Sequence, residues 1–213
     1  MAHASADIGA YLKAKDSVSN EFSGSVYNYM RLLSQIKNVD LTKRLTNQYL
    51  QAAPRGTYAP DAIIARIAND LPNDEGLVKF YMDSLDTRYD LMKAYYEQKQ
   101  IDKIPEPYRR QDEFAKLCLY KYITTDDEDG GTSTDMKLLG TIFHDENVYY
   151  TFEFSLAGDE DHKVMIGIAG PYQPGSTKLS FDKYFAYTTF EVVKPDWRAQ
   201  ASAMIGPLTD IYK

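Results

Sequence analysis

The spacing of apolar residues changes once along this chain, and the change divides it into two parts with different secondary structure. Through residues 1–123, apolar side chains recur every three or four positions, the spacing of a helix that is buried on one face. Beyond residue 136 they alternate with polar ones, the spacing of a β-strand. The intervening stretch TTDDEDGGTSTD is acidic and glycine-containing. We therefore predict an all-helical domain (1–123), an acidic linker (124–135) and a sheet domain (136–213).

Short runs of Pro, Asn and Gly divide the first part into roughly five or six helices. Asn38 interrupts one apolar pattern, Pro54-Arg55-Gly56 ends the next, and Pro60 suits the first turn of the helix after it. The longest pattern runs from Asp74 to about Gln100 and predicts a single helix. We expect these helices to form hairpins packed as a bundle or a short solenoid-like stack.

The second part predicts four strands, because alternating segments are separated by short polar turns. The clearest strand spans 148–156, and it is expected to bury one face and to turn the other toward water. Strands that follow one another across short turns favour an antiparallel β-meander, and the segment after Pro195 predicts a C-terminal helix that covers the sheet. The predicted fold class is therefore α+β.

Charge is distributed unevenly between the two parts. Residues 1–123 hold 17 Lys and Arg against 16 Asp and Glu, whereas residues 124–213 hold 7 against 15. The acidic second part would repel a phosphate backbone, so nucleic acid is not expected as a partner. No apolar run reaches the ~18 residues of a transmembrane segment. The N-terminus has no signal-peptide pattern, so we expect a soluble protein that is cytoplasmic or is exported with its signal removed.

Residues that commonly hold metals or act as nucleophiles are few. Cys118 is the one cysteine, and its helical apolar surroundings predict a buried structural thiol. Residues 126–137 match a calcium loop at positions 1, 3 and 6 but place glycine at 5 and Lys137 at 12. His144 and His162 are expected at opposite ends of one strand, too far apart to share a metal. No cofactor or metal site is predicted, and loose divalent-cation binding by the acidic segments remains an alternative.

The sequence GPYQPGSTK, which begins at Gly170, resembles a phosphate-binding loop with a displaced lysine. Pro171 and Pro174 remove backbone donors, Ser176 occupies the lysine position, and a strand rather than a helix is predicted to follow. We interpret it as a connection between the third and fourth strands. Tyr172 at its tip is a candidate for the rim of a binding surface.

The polar side of the sheet supplies the remaining candidate residues. Tyr149 and Glu153 on the second strand resemble Tyr187 and Glu191 on the fourth, so neighbouring strands would form a tyrosine platform flanked by carboxylates. A sugar or peptide could stack there, and the glutamates would also suit an acid/base pair. The simpler alternatives are a solvated sheet face and a face covered by helices.

No sequence motif of a known catalytic class is present, so the prediction is a noncatalytic binding or protein-interaction module in which packed helices offer a groove. Its partner is expected to be another protein or a small polar ligand. The alternative is a small-molecule or carbohydrate-binding α+β domain that uses the tyrosine and glutamate face. A hydrolase on that face is the least favoured interpretation.

Overall fold

The computed structural model describes residues 2–13, 20–106, 108–126, 136–144, 147–156, 159–171 and 185–209. Over these residues the chain forms eight α-helices and four strands, which confirms the α+β class. It divides into two compact units, Met1–Pro105 and Glu106–Lys213. No helix in the described part of the chain is both long and apolar enough to cross a membrane.

The first unit is helical throughout its described residues. Its helices are α1 (Ala2–Lys13), α2 (Asn20–Gln35), α3 (Val39–Ala52), α4 (Ala59–Ala68), α5 (Glu75–Met82) and α6 (Leu85–Glu97), followed by a 3-10 turn (Ile101–Lys103). The predicted break at Asn38 is confirmed, because its side chain caps α3 by accepting a hydrogen bond from Leu41 N at 3.0 Å. Pro60 lies in the first turn of α4, as expected.

Helix α4 is the centre of this unit, since it packs against α2, α3 and α6. Its sequence APDAIIARIA is apolar on most sides, and both Ile63 and Ile67 are buried. The helix ends in a Schellman turn, in which Leu71 N donates to Arg66 O at 2.8 Å and Asp70 takes a left-handed φ of 55°. This turn fixes the direction in which the chain leaves α4.

The single helix predicted from 74 to about 100 is wrong, because the chain forms two helices, α5 and α6, with a break at Asp83 and Ser84. Ser84 is extended, with φ −88° and ψ 131°, and it precedes the first turn of α6. Two side chains satisfy the last carbonyls of α5: Thr87 donates to Tyr81 O, and Arg88 Nε donates to Met82 O. The apolar spacing continues across the break, so it does not reveal this local hydrogen bonding.

The second unit combines a helix, a sheet and another helix. Its elements are α7 (Gln111–Asp126), β1 (Lys137–His144), β2 (Asn147–Leu156), β3 (Asp159–Pro171), β4 (Phe185–Val192) and α8 (Trp197–Thr209). The strands pair antiparallel in the order β1-β2-β3-β4. The division at 105/106 differs from the predicted boundary, because α7 packs on β2 and β3. Residues 127–135 of the predicted linker lie outside the described residues.

Both faces of β2 are buried, so the expectation that one face meets water is wrong for this strand. Tyr150 lies on the side of α7, where its hydroxyl donates to Gln111 Oε1 at 2.9 Å. Tyr149 points to the opposite side and packs with Trp197 and Ala201 of α8. Alternation therefore separates the side covered by α7 from the side covered by α8.

Trp197 lies close to the sheet at Gly140, next to the irregularity in the pairing of β1 with β2. A Cβ at this position would lie 2.8 Å from Trp197 Cη2 and 3.0 Å from Cζ2. Only glycine leaves room for the indole ring here, and α8 can therefore lie close to the sheet.

Candidate functional site

The two candidate residues on β2 are both buried. Tyr149 is 0% exposed, and Glu153 is 9% exposed with ion pairs to Lys137 at 3.3 Å and Lys163 at 3.8 Å. Lys137 lies on β1 and Lys163 on β3, so the carboxylate bridges three strands. These side chains form part of the packing of the second unit and do not form an open platform.

The candidates on β4 are not level with those on β2. Strand β3 separates the two, and Tyr187 pairs with Gly167, which in turn pairs with Thr151. Tyr187 is therefore displaced by two residues from the level of Tyr149. Glu191 also lies on β4. Tyr172 lies outside the described residues.

The other candidates from the sequence form no binding site or catalytic site among the described residues. Gly170 pairs with Val148 at the end of β3, and most of the loop that resembles a phosphate site lies outside the described residues, as does most of the calcium-like segment. Burial raises the pKa of the Cys118 thiol to about 12, which keeps it protonated at neutral pH. Within the described part of the chain, no three His, Cys, Asp or Glu side chains are grouped as metal ligands.

A cleft of about 670 Å³ lies in the helical unit, and none of the residues that line it was a candidate from the sequence. Residues from α3, α4, α5 and the segments between them line it. The polar and aromatic lining includes Asn47, Arg55, Arg66, Asn73, Asp74 and Phe80. Its volume is in the range of pockets that bind small molecules or a few residues of a peptide.

Arg66 forms the buried wall of the cleft and is 9% exposed. Its Nε donates to Pro72 O at 3.0 Å, and its Nη1 donates to Thr46 Oγ1 at 3.1 Å and to Asn47 Oδ1 at 2.7 Å. Nη2 also donates to Pro72 O. The Schellman turn after α4 brings this carbonyl back to the helix, so the guanidinium joins the α4–α5 connection to α3.

All of these acceptors are neutral, and no carboxylate pairs with Arg66 among the described residues. Burial lowers the pKa of Arg66, because desolvation disfavours the charged form, yet an arginine remains protonated at any physiological pH. Buried charges in proteins are usually paired. Here the guanidinium charge is balanced only by the dipoles of its neutral acceptors among the described residues. The group faces a cleft that is large enough for an anion.

A second cation lies on the exposed side of the cleft. The Arg55 guanidinium carbon is 4.6 Å from the centre of the Phe80 ring, within the range of a cation–π interaction. Phe80 is 43% exposed, and its ring also packs edge-to-face on Tyr81 with centroids 5.0 Å apart. An arginine and an open aromatic ring thus form one wall of the cleft.

Tyrosines hold the loop that carries Arg55. Tyr49 is completely buried, and its hydroxyl accepts a hydrogen bond from Tyr58 N at 3.1 Å. Tyr81 donates its hydroxyl to the carbonyls of Pro54 at 3.3 Å and of Gly56 at 3.2 Å. The loop is therefore fastened on both sides of Arg55 by phenol groups. Burial raises the pKa of both tyrosines, so both phenols stay neutral at physiological pH.

Asn73 and Asp74 complete the cleft at the start of α5. Asp74 Oδ1 accepts from Leu77 N at 2.7 Å and caps the helix. Asn73 Oδ1 is buried and has no hydrogen-bond donor among the described residues. The Asn73 side chain also interacts with the Tyr95 hydroxyl of α6; burial, the larger effect, raises the pKa of that phenol, and the interaction with Asn73 lowers it.

No protein-family model, curated protein or solved structure matches this chain.

One signal of the cleft was present in the sequence. Arg66 interrupts the apolar run Ile63-Ile64-Ala65-Arg66-Ile67, and a charged residue on a buried helix must find partners or a ligand. Phe80 gave no comparable signal, because its place in the apolar pattern of α5 does not reveal that it is exposed. Arg55 lies in a turn that we interpreted only as the end of a helix.

Proposed function

We propose that this chain is a noncatalytic protein-interaction module whose helical unit binds a partner segment in the cleft. The observation that carries the proposal is the buried guanidinium of Arg66, which faces an open cleft without a carboxylate partner in the described part of the chain. Such a group is positioned to bind and has no neighbouring set of groups suited to acid/base or nucleophilic chemistry among the cleft residues.

We also propose the architecture that the sequence predicts. Packed helical hairpins provide the groove, and a four-stranded antiparallel meander with a covering helix forms the second unit. The alternative of a sugar or small molecule bound by the tyrosine and glutamate face loses support, because α8 covers Tyr149 and Ala201 packs against it. The same burial removes support for a hydrolase at Glu153.

Selection of displayed random peptides on the immobilised 213-residue chain tests the proposal. We expect wild type to enrich a family of related peptides, and Phe80→Ala to lose most of that binding. Leu32→Ala is the matched control, because Leu32 is 49% exposed against 43% for Phe80 and does not line the cleft.

Two results would overturn the proposal. One is the absence of any enriched family on wild type. The other is a family that binds Phe80→Ala as well as it binds Leu32→Ala, since such peptides would not use the cleft. Circular dichroism of each variant establishes that both remain folded.

A further inference from the structure

We infer that the cleft recognises an acidic peptide segment, in which an Asp or Glu side chain meets Arg66 and Arg55 and an adjacent apolar side chain packs on Phe80. This inference rests on the proposed function and specifies the chemistry of the partner. It assigns to the partner the carboxylate that neither arginine has among the described residues.

The charged residues of the cleft favour an acidic partner. Arg55 and Arg66 line the cleft, and the one acidic group among its described lining residues is Asp74. The Asp74 carboxylate already accepts from Leu77 N at 2.7 Å. Because Arg66 is desolvated, a carboxylate that reaches it makes a charge-assisted hydrogen bond in a weakly screened environment. Arginine presents a planar fork of donors that suits a carboxylate.

The guanidinium has a donor to offer. Of its five N–H hydrogens, Nε uses one and Nη1 uses two, while Nη2 has one acceptor, Pro72 O. One hydrogen on Nη2 therefore has no acceptor among the described residues. A partner's carboxylate oxygen would supply it and would leave the existing bonds to Pro72 and Asn47 in place.

The aromatic wall accounts for the apolar neighbour. Phe80 leaves 43% of its surface exposed beside Leu50 and Leu77, which also line the cleft. Burial of an apolar side chain there removes this surface from water and strengthens the contact between Arg55 and the ring. Acidic residues flanked by apolar ones therefore suit both halves of the cleft.

The competing explanation is that Arg66 only holds the Pro72 carbonyl in place. Arg55 separates the two explanations, because it makes no hydrogen bond or ion pair with a described residue and its guanidinium lies over the Phe80 ring. A purely structural Arg66 predicts no effect of Arg55 on binding. Arg44 of α3 is exposed and does not line the cleft, so Arg44→Gln is a control with the same charge change.

In the test, fluorescent synthetic peptides from the display selection are titrated with the 213-residue chain, and binding is measured by fluorescence polarisation. We expect acidic residues next to an apolar one to be enriched in the pool. Replacing the peptide's Asp by Asn or its Glu by Gln should weaken binding roughly 10- to 100-fold, the range for a hydrogen bond to a charged group. Arg55→Gln should weaken it about 2- to 5-fold, as for a solvent-exposed charge pair, and Arg44→Gln should leave it unchanged.

Arg66→Gln should weaken binding by at least about tenfold, but it also removes the bonds to Pro72. If Arg66→Gln fails to fold, the comparison of Arg55→Gln with Arg44→Gln still tests whether the charge of the cleft contributes to binding. Raising the salt concentration should weaken the wild-type complex more than the Arg55→Gln complex.

The results separate the two proposals. If no peptide family is enriched, the proposed function fails together with this inference. If a family binds through Phe80 but is neutral or basic, or if Arg55→Gln behaves like Arg44→Gln, the function stands and the acidic class is wrong. If inorganic phosphate alone displaces the peptides at matching concentrations, the cleft is a simple anion site and the peptide class is wrong.

Discussion

The loop that carries Arg55 depends on the absence of a side chain at Gly56, and Gly56→Ala tests that dependence. A Cβ there would lie 2.5 Å from the Tyr49 hydroxyl, 3.0 Å from Ala53 Cβ and 3.1 Å from Ala53 O. Contacts between non-bonded heavy atoms are most favourable at about 3.5–4.0 Å, so the closest one is short by roughly 1 Å. Either the loop or the phenol ring must move.

Neither movement is easy. Tyr49 is fully buried and stacks on Tyr11 with centroids 6.1 Å apart, and Ala53 O belongs to the backbone. Overpacking of this kind costs about 1–3 kcal/mol, and displacement of the Tyr49 hydroxyl from Tyr58 N loses about 1 kcal/mol more. We expect Gly56→Ala to lower the free energy of unfolding of the helical unit by about 2–4 kcal/mol.

Urea unfolding followed by far-ultraviolet circular dichroism measures this loss. Trp197 is the one tryptophan of the chain and belongs to the second unit, so its fluorescence follows that unit separately. Gly24→Ala in α2 is the matched control, because a Cβ there meets nothing within 4 Å. It should stabilise the protein by about 0.5–1 kcal/mol, since alanine favours a helix over glycine.

A double-mutant cycle identifies the cause of the loss. Tyr49→Phe removes the oxygen that the new methyl group meets, so Gly56→Ala should cost about 1–2 kcal/mol less in that background. The reasoning is refuted if Gly56→Ala matches the stability of wild type, or if its cost is the same with Tyr and with Phe at residue 49.

Three further predictions concern the caps, the sheet and the titrating groups. Lys99→Gly should raise the free energy of unfolding in urea by up to about 1 kcal/mol, because Lys99 ends α6 with a left-handed φ of 57°. Asp70→Gly, at φ 55°, should raise it less, because the variant loses the hydrogen bonds to Gln100 and Lys103. Gly140→Ala should displace Trp197, shifting its fluorescence and costing about 1–3 kcal/mol. Burial raises the pKa of Tyr150 to about 12, so its contribution to stability is complete below the unfolded value of ~10 and is lost as pH rises toward 12. Unfolding measured across this range should show a smaller alkaline loss for Tyr150→Phe.

The sequence predicted those features that depend on local chemistry. Asn38 and Pro60 mark helix starts because capping and proline geometry act within a few residues. Periodicity could not locate the break at Ser84, because Arg88 and Thr87 satisfy the carbonyls of α5 without disturbing the apolar spacing. It also could not show that the Tyr149 face is covered, since that depends on α8, which lies about fifty residues further along the chain.

The cleft was missed for a related reason. Arg55, Arg66 and Phe80 lie in three separate segments that the fold of the helical unit brings to one surface. Patterns in sequence describe each segment against its own neighbours, whereas a binding surface depends on pairs that are distant in sequence. The isolated Arg in an apolar helix was the one local signal of this arrangement.

The energetics of Arg66 link the cleft to the stability of its unit. A guanidinium that is buried with neutral acceptors loses hydration that dipoles replace only in part, which is consistent with the direction of its pKa shift. A bound carboxylate would offset that cost in the folded state and would have no such site in the unfolded chain. Binding must therefore stabilise the helical unit, by about 2.7 kcal/mol when the peptide is present at a hundred times its Kd. If acidic peptides bind at the cleft, they should raise the midpoint of the circular dichroism transition while the unfolding of the second unit, followed by Trp197, changes little.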